Sequence, residues 1–340
     1  MIEAAIRERA ARAISEGVFP GCAVGAVHLD GRRLAVACGA LSYEADAELV
    51  SPQTVYDLAS VTKAVVTASL ASILIREGLI DLTARVIDYL PELKNDHGAT
   101  IEDLLRYRVR GLRLSTIHNR TFEEVRARVL EHGFDTPPSG SDYTNLPALL
   151  LGFVIERAAG HSLAAVSEQR IFGPLAMKAT TYFPTVSDCA PTEISKFDQL
   201  DKRMISELPA HDRGEMRGLP HDESAYKFAI ARRSAGHAGL FSTVPDLLNY
   251  CHMLLSGQFS PIVRDAENGL GWQTSEDFLG SFSSPGSFGK TGFTGTSICI
   301  DQAKGIALVI LSNRTYPKRP VDGKLINAFR SDIADIVFAQ

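Results

Sequence analysis

Five cysteines in 340 residues (Cys22, Cys38, Cys189, Cys251 and Cys299) are few, scattered and odd in number, which excludes a disulfide framework. No C-x-x-C pair occurs, and four of the five lie in apolar or strand-like runs, so buried free thiols are expected. No stretch approaches the ~18 consecutive apolar residues that a membrane span needs. A basic stripe is missing as well. Lys and Arg number 35 against 40 Asp and Glu, a net charge of -5, which leaves no electrostatic footprint for nucleic acid. The densest basic cluster, "RYRVRGLR" from Arg106 to Arg113, is short and mixed with apolar residues, the pattern of a solvated or substrate-facing loop. There is no internal repeat and no low-complexity segment. The opening "MIEAAIRERAARAISEGVFPG" interleaves acid and base along an amphipathic helix and lacks the unbroken apolar core of a signal peptide. A cytoplasmic protein is therefore expected, or a periplasmic or secreted one if a leader has been removed.

What remains is a globular chain long enough for two domains and a substantial core. "CAVGAVHLD" and "RLAVACGAL" read as two strands joined at Asp30-Gly31, a favoured hairpin turn. From Val61 the apolar positions Ala64, Val65, Ala68, Ala71, Ile73 and Leu74 run to Gly78, predicting a helix buried nearly all round. From about Ile80 to Met177 the pattern is mostly helical, with start signals in "TIEDLLRY" and "TFEEVRARVLEHG" and a further apolar helix in "NLPALLLGFVIERAAG". Phe183 to Lys227 reads as irregular and polar. "TVPDLLNYCHMLLSG" is a helix capped by Thr243; "SICID" and "IALVIL" read as an antiparallel hairpin, and a final helix runs from Val321 to Ala339. Strands at both ends and helices between them predict an α/β (α+β) architecture. Its antiparallel α/β domain would comprise 1–79 plus 230–340, with a mainly helical insertion at 80–229 and a cleft between the two.

"YDLASVTKAVVT" opens the buried helix with Ser60 and Lys63 three residues apart. A serine hydroxyl is a poor nucleophile until a base takes its proton, and a lysine serves once its pKa is lowered. S-x-x-K on a helix puts both side chains on one face, and a serine at a helix N-terminus also offers its own N–H to an oxyanion. Ser224-Lys227 and Ser287-Lys290 share the spacing, so context must choose. Only Ser60-Lys63 heads a long apolar helix. Two further pieces accompany it. "SDYTNL" carries Tyr143 and Asn145 in a turn before an apolar helix, where Asn145 suits an N-cap. "GKTGFTG" carries Lys290, Thr291 and Gly292, read as the head of a strand at a sheet edge.

In the order S-x-T-K, Y-x-N and K-T-G, the chain resembles the serine β-lactamase and penicillin-binding protein superfamily, on its class C β-lactamase, DD-carboxypeptidase and β-lactamase-fold esterase side. "GLIDLTARVIDYLPEL", "TIEDLL", "AGHAGLFSTVPDLLNY" and "LGW" extend the resemblance along nearly the whole chain. It implies a β-lactamase/transpeptidase-like fold and a serine acyl-hydrolase with Ser60 as nucleophile. Lys63 or Tyr143 would take the serine proton. Asn145 would hold Lys63 and bond the substrate's amide, while Lys290 and Thr291 would face a substrate carboxylate or the developing charge. Gly292 would allow close approach of the substrate backbone. The backbone N–H groups of Ser60 and Phe293 would form the oxyanion hole. No metal and no cofactor is needed, and the partner is a small molecule or peptide.

Other segments carry weaker signals. Relatives often have a "THTSGL"-like turn where this chain has "RYRVRGL". "LPHDESAY" resembles a cleft-lining stretch in a subset of the family, which marks His221 as a substrate-side residue and not a metal ligand. Arg314 in "SNRTYP" follows a core strand and could reach a carboxylate, whereas His237, between glycines, is read as packing. The substrate would be a β-lactam, a D-amino-acid peptide or a cell-wall fragment. A carboxylesterase is the alternative within the fold. A non-catalytic penicillin binder or sensor that kept the fold and lost turnover is the alternative of a different class, and the intact Ser60, Lys63, Tyr143 and Lys290 argue against that.

Overall fold

The computed structural model describes residues 2–117, 121–194 and 215–340. Chain direction reverses where the sequence predicts: β1 (Gly21–His28) and β2 (Arg33–Gly39) pair antiparallel across a turn in which Gly31 takes φ 87. Two short pairs lie apart from the main sheet. β3 (Tyr56–Asp57) pairs with β6 (Phe241–Ser242), and β4 (Glu193–Ile194) with β5 (Glu215–Met216). The main sheet is completed by β7 (Gln273–Thr274), β8 (Phe288–Thr291), β9 (Ser297–Asp301) and β10 (Ile306–Ser312). Among the described residues it is six-stranded, in the order β2-β1-β10-β9-β8-β7, with every neighbouring pair antiparallel. β1 and β10 sit side by side although 277 residues separate the end of one from the start of the other (305 − 28). The first and last parts of the chain therefore build one sheet.

Helices cover both faces because alternate strand residues are apolar on each. One face packs against the N-terminal helix Ile2–Ser15 and the C-terminal helix Lys324–Phe338, where Phe19 and Phe329 meet edge to face. The other face packs against Val244–Leu255, whose Thr243 cap accepts from the Asp246 N–H as its sequence signals. Behind that helix lies the apolar segment that follows Ser60. Its first part, Lys63–Ala68, is wound as a π-helix and continues as the α-helix Ser69–Arg76. Everything from Lys63 to Leu74 is buried. Thr100 and Thr121 cap Ile101–Leu105 and Phe122–His132 with reciprocal Asp103 and Glu124 bonds.

Two expectations need correction. Lys290 and Thr291 end β8 instead of opening a strand; β9 pairs with both, while β7 pairs only with Phe288 and Gly289, so this end of the strand is an edge on the β7 side. The tail of the region read as irregular is a helix, Glu223–Ile230, capped by Asp222 through the N–H groups of Ser224 and Ala225. Half of the remainder of that region, 195–214, lies outside the described residues. All five cysteines are free and four are buried. Among the described residues no single helix is long and apolar enough to cross a membrane.

Candidate active site

The turn ahead of Ser60 is held from two sides. Asp57 accepts from the Ala59 N–H at 2.8 Å and the His221 N–H at 2.7 Å, and Ala59 is driven to φ 46, a conformation that costs a non-glycine residue about 1 kcal/mol. On the sheet side, Thr294 Oγ1 donates to Asp57 O at 2.7 Å and Thr296 Oγ1 to Leu58 O at 2.9 Å. The β8–β9 turn and the serine turn thus form one unit.

Ser60 is partly exposed, whereas Lys63 is 1% exposed. The lysine Nζ donates to Ser60 Oγ at 2.8 Å, Asn145 Oδ1 at 2.9 Å and the His237 carbonyl at 2.7 Å. An ammonium has three protons, and all three have acceptors here. Burial drives the Lys63 pKa from 10.5 down to about 7, against the opposing pull of the Asp222 carboxylate. Near neutral pH a large fraction of the amine is therefore uncharged. Two of its N–H groups can stay on Asn145 and His237 while its lone pair faces the serine hydroxyl.

Asn145 occupies the N-cap position of Leu146–Ala159, as the sequence suggests, but its side chain makes no capping bond. It spans Lys63 and Asp222 instead, its Nδ2 donating to Asp222 Oδ2 at 2.9 Å.

The Tyr143 phenol lies close enough to the Ser60 side chain for the serine to work against a raised pKa, while half of the residue stays open to solvent. Burial of the phenol end pushes its pKa up to about 12, with Ser60 opposing. Lys290 lies against the other part of the ring, its Nζ 4.4 Å from the Tyr143 centroid and 5.0 Å from that of Tyr107. Lys290 is wholly buried, and its amine has no hydrogen-bond partner among the described residues. Burial and then the Lys63 charge hold its pKa well below that of an ordinary lysine.

Thr291 is half-buried at the end of β8, with its hydroxyl 3.4 Å from Gln273 Oε1. A Cβ on Gly292 would strike Thr296 Oγ1 and the Leu58 carbonyl. The glycine is required by the protein's own packing against the serine turn. Arg330 donates to the Gly292 and Thr296 carbonyls at 2.7 and 2.8 Å, fixing the turn from beneath. Among the described residues neither the Ser60 N–H nor the Phe293 N–H donates a hydrogen bond, so both remain available to an oxyanion.

Other predicted residues stand further off. His221 is 3% exposed, has Nε2 2.8 Å from Glu193 Oε2 and stacks on Phe293 with centroids 5.6 Å apart. It reaches the cleft only through that ring, so direct lining by His221 is corrected. Arg314 is also buried, lies 5.1 Å over Phe293 and reaches the Asp322 carbonyl at 3.4 Å. The arginines of "RYRVRGL" are engaged by acids of their own neighbourhood: Arg106 by Glu102, Arg108 by Asp103 and Arg110 by Asp142. From that stretch it is Tyr107, at φ 54, that enters the site, its ring 4.9 Å from Tyr143.

Three residues of this site escape a motif search. Asp222, Tyr107 and the carbonyl of His237 all contribute. Asp222 had a signal in its acid-Glu-Ser start before a helix, and Tyr107 had its place in the turn that departs from the relatives. A backbone carbonyl has none.

A family model described as Beta-lactamase matches residues 2–330. A protein of Salmonella agona (strain SL483), named "Putative D-alanyl-D-alanine carboxypeptidase", is 30% identical over 325 residues, covering 82% of this chain and 73% of its own. A protein of the same name from Salmonella enteritidis PT4 (strain P125109) is 30% identical over 320 residues, covering 81% and 72%. Among solved structures, EstCE1, described as a hydrolase with promiscuous acyltransferase activity, superposes with a TM-score of 0.74 at 20% identity over 99% of this chain and 98% of that one. Simvastatin synthase (LovD) from Aspergillus terreus gives 0.72 at 17% identity over 100% and 97%. A class C beta lactamase from Rhodobacter sphaeroides gives 0.69 at 20% over 97% and 98%. These likenesses show a shared fold of helices around an antiparallel sheet.

Proposed function

The chain belongs to the beta-lactamase family of serine hydrolases, and from that premise we propose that it forms an acyl-enzyme on Ser60 and acts on β-lactams or on D-amino-acid-containing peptides and cell-wall fragments. The observation that carries this is the 2.8 Å contact between Lys63 Nζ and Ser60 Oγ, made by an amine whose pKa burial lowers to about 7. Lys63 takes the hydroxyl proton as Oγ attacks the acyl carbon. The N–H groups of Ser60 and Phe293 receive the negative charge of the tetrahedral oxygen. Collapse expels the leaving group, which takes a proton from Lys63, and water then hydrolyses the ester on Ser60. Tyr143, whose phenol is raised to about 12, lies close to the serine hydroxyl and is the weaker candidate for base. Names carried by the Salmonella relatives support the peptide side of this reading.

A carboxylesterase is the second reading, and one observation favours it. Lys290, expected to meet a substrate carboxylate, is covered by the rings of Tyr107 and Tyr143 and its pKa is held low. A neutral acyl ester needs no cation there.

Intact mass after incubation with a penicillin, beside Ser60→Ala and with the drug assayed in the same sample, tests the proposal. An adduct on the wild type alone supports a penicillin-binding, DD-peptidase-like site. Drug hydrolysed without an adduct supports a β-lactamase. If protein and drug are both unchanged while p-nitrophenyl butyrate is hydrolysed by the wild type and not by Ser60→Ala, the esterase reading replaces the first. Activity retained by Ser60→Ala on every substrate defeats both.

A further inference from the structure

Behind Asn145 lies a polar cluster that the S-x-T-K, Y-x-N and K-T-G motifs do not contain. Asp222 stands at the N-terminus of Glu223–Ile230 with its side chain 20% exposed. Its Oδ1 accepts from Ser224 Oγ at 2.6 Å and from the N–H groups of Ser224 and Ala225 at 3.0 and 2.9 Å, and lies 3.0 Å from His237 Nε2. Its Oδ2 accepts from Asn145 Nδ2. Ser224 Oγ is itself 2.8 Å from His237 Nε2, and His237 is wholly buried. Next to it in the chain, Gly236 is pressed so closely on the helix Leu146–Ala159 that a Cβ would strike the Ala148 carbonyl, and its own carbonyl accepts from Thr67 Oγ1 at 2.5 Å.

We propose that Asp222 is the positioning residue of the Ser60–Lys63 pair, acting through Asn145 and His237 to aim the Lys63 amine at the serine hydroxyl. The proposal rests on the reading of Ser60 as nucleophile and of Lys63 as its base. An asparagine side chain presents either its oxygen or its NH2 to a neighbour, and the two orientations are nearly isosteric. Against a carboxylate only the NH2 can face Asp222, which turns Oδ1 to Lys63. Asp222 also draws in the His237 ring, and with it the carbonyl that accepts the second lysine proton. With those two acceptors in place, the third tetrahedral position on Nζ points at Ser60 Oγ. In the neutral amine that position is the lone pair.

The titratable and charged groups around Lys63 are Asp222 and His237 on the Asn145 side and Tyr143 and Lys290 on the cleft side. Asp222 is the group among them that works to raise the Lys63 pKa.

Asp222→Asn is the informative variant because asparagine caps a helix about as well as aspartate. Two NH2 groups would then oppose each other, and the Asn145 amide would have to turn its NH2 towards Lys63. Initial rates with p-nitrophenyl butyrate from pH 5 to 9, beside Ser60→Ala, are expected to fall by about 100-fold in kcat. The acid limb of kcat/KM should move to lower pH, because a charge that favours protonated Lys63 has gone. The swap Asp222→Asn with Asn145→Asp restores a donor-acceptor pair with the roles exchanged. It should recover at least about tenfold of the loss above pH 8 and carry its acid limb to higher pH, since a carboxylate now touches Lys63. A folded Asp222→Asn with unchanged rate and limb overturns the proposal, as does a swap that recovers nothing at any pH. If Asp222→Asn alone does not fold, the swap is compared with Asn145→Ala, and equal rates overturn it. Activity surviving in Ser60→Ala instead removes the underlying reading of the nucleophile.

Discussion

Lys63 Nζ and the His237 carbonyl are 2.7 Å apart although 174 residues separate them in the chain. This contact fixes one proton of the amine, Asn145 fixes another, and the remaining position is Ser60's. Removing the amine and removing the Tyr143 hydroxyl should therefore have different consequences. Lys63→Met is expected to lower kcat for p-nitrophenyl butyrate by at least about 1,000-fold, and Tyr143→Phe by about 100-fold with the acid limb still present. Steady-state rates across pH check both. A Tyr143→Phe variant that loses the limb would make the phenol the base.

For the wild type, kcat/KM should fall about tenfold per pH unit below a pH of about 7, where Lys63 becomes protonated. The same shift bears on stability. Because the folded value lies below the ordinary 10.5, the folded chain binds fewer protons than the unfolded one between about pH 7 and 10.5. The Lys63 contribution to stability accordingly rises with pH across that window. Denaturant titrations at pH 7 and 9 of the wild type and Lys63→Met should show the rise in the first and its reduction in the second.

Tyr107 keeps water from Lys290. Tyr107→Gly removes the ring and relieves the φ of 54 at once. With water admitted, the desolvation that holds the Lys290 pKa down is relieved and its charged form is favoured. The ratio of kcat/KM for a carboxylate-bearing p-nitrophenyl ester to that for p-nitrophenyl butyrate should rise about tenfold, the worth of one charge-assisted bond. A ratio that stays the same would mean that the lysine faces no substrate carboxylate.

Gly292→Ala places a methyl group against Thr296 Oγ1 and the Leu58 carbonyl, both of which are tied into the serine turn. Overpacking there should cost about 1–3 kcal/mol. It should lower Tm by several degrees, and it should reduce kcat because Phe293 and Ser60 shift relative to each other. Calorimetry and ester hydrolysis on one preparation test the two effects together.

Much of this was legible locally. Thr100, Thr121 and Thr243 announce their helices because a cap is a contact within four residues. Asp30-Gly31 announces its hairpin because only a few residue types turn that tightly. Lys290 was misplaced at the head of a strand because a short apolar-glycine run looks the same entering a sheet as leaving it, and only pairing with β7 and β9 tells which. Asn145 was read as a cap because position alone was visible. Its side chain chose stronger partners, Lys63 and Asp222, 82 and 77 residues away.

The sequence by itself determined which side chains are proposed to carry the chemistry, since a candidate nucleophile, its candidate base and a K-T-G strand end are matters of residue type and short spacing. Tertiary structure alone decided their electrostatic state. Lys63 is lowered and Lys290 is stripped of water because three distant segments close over them, and desolvation depends on what surrounds a group and not on its neighbours in the chain. It also decided what surrounds the lysine's amine, a glycine-backed carbonyl at His237 and an Asn145 held by Asp222, which no local pattern connects to Ser60.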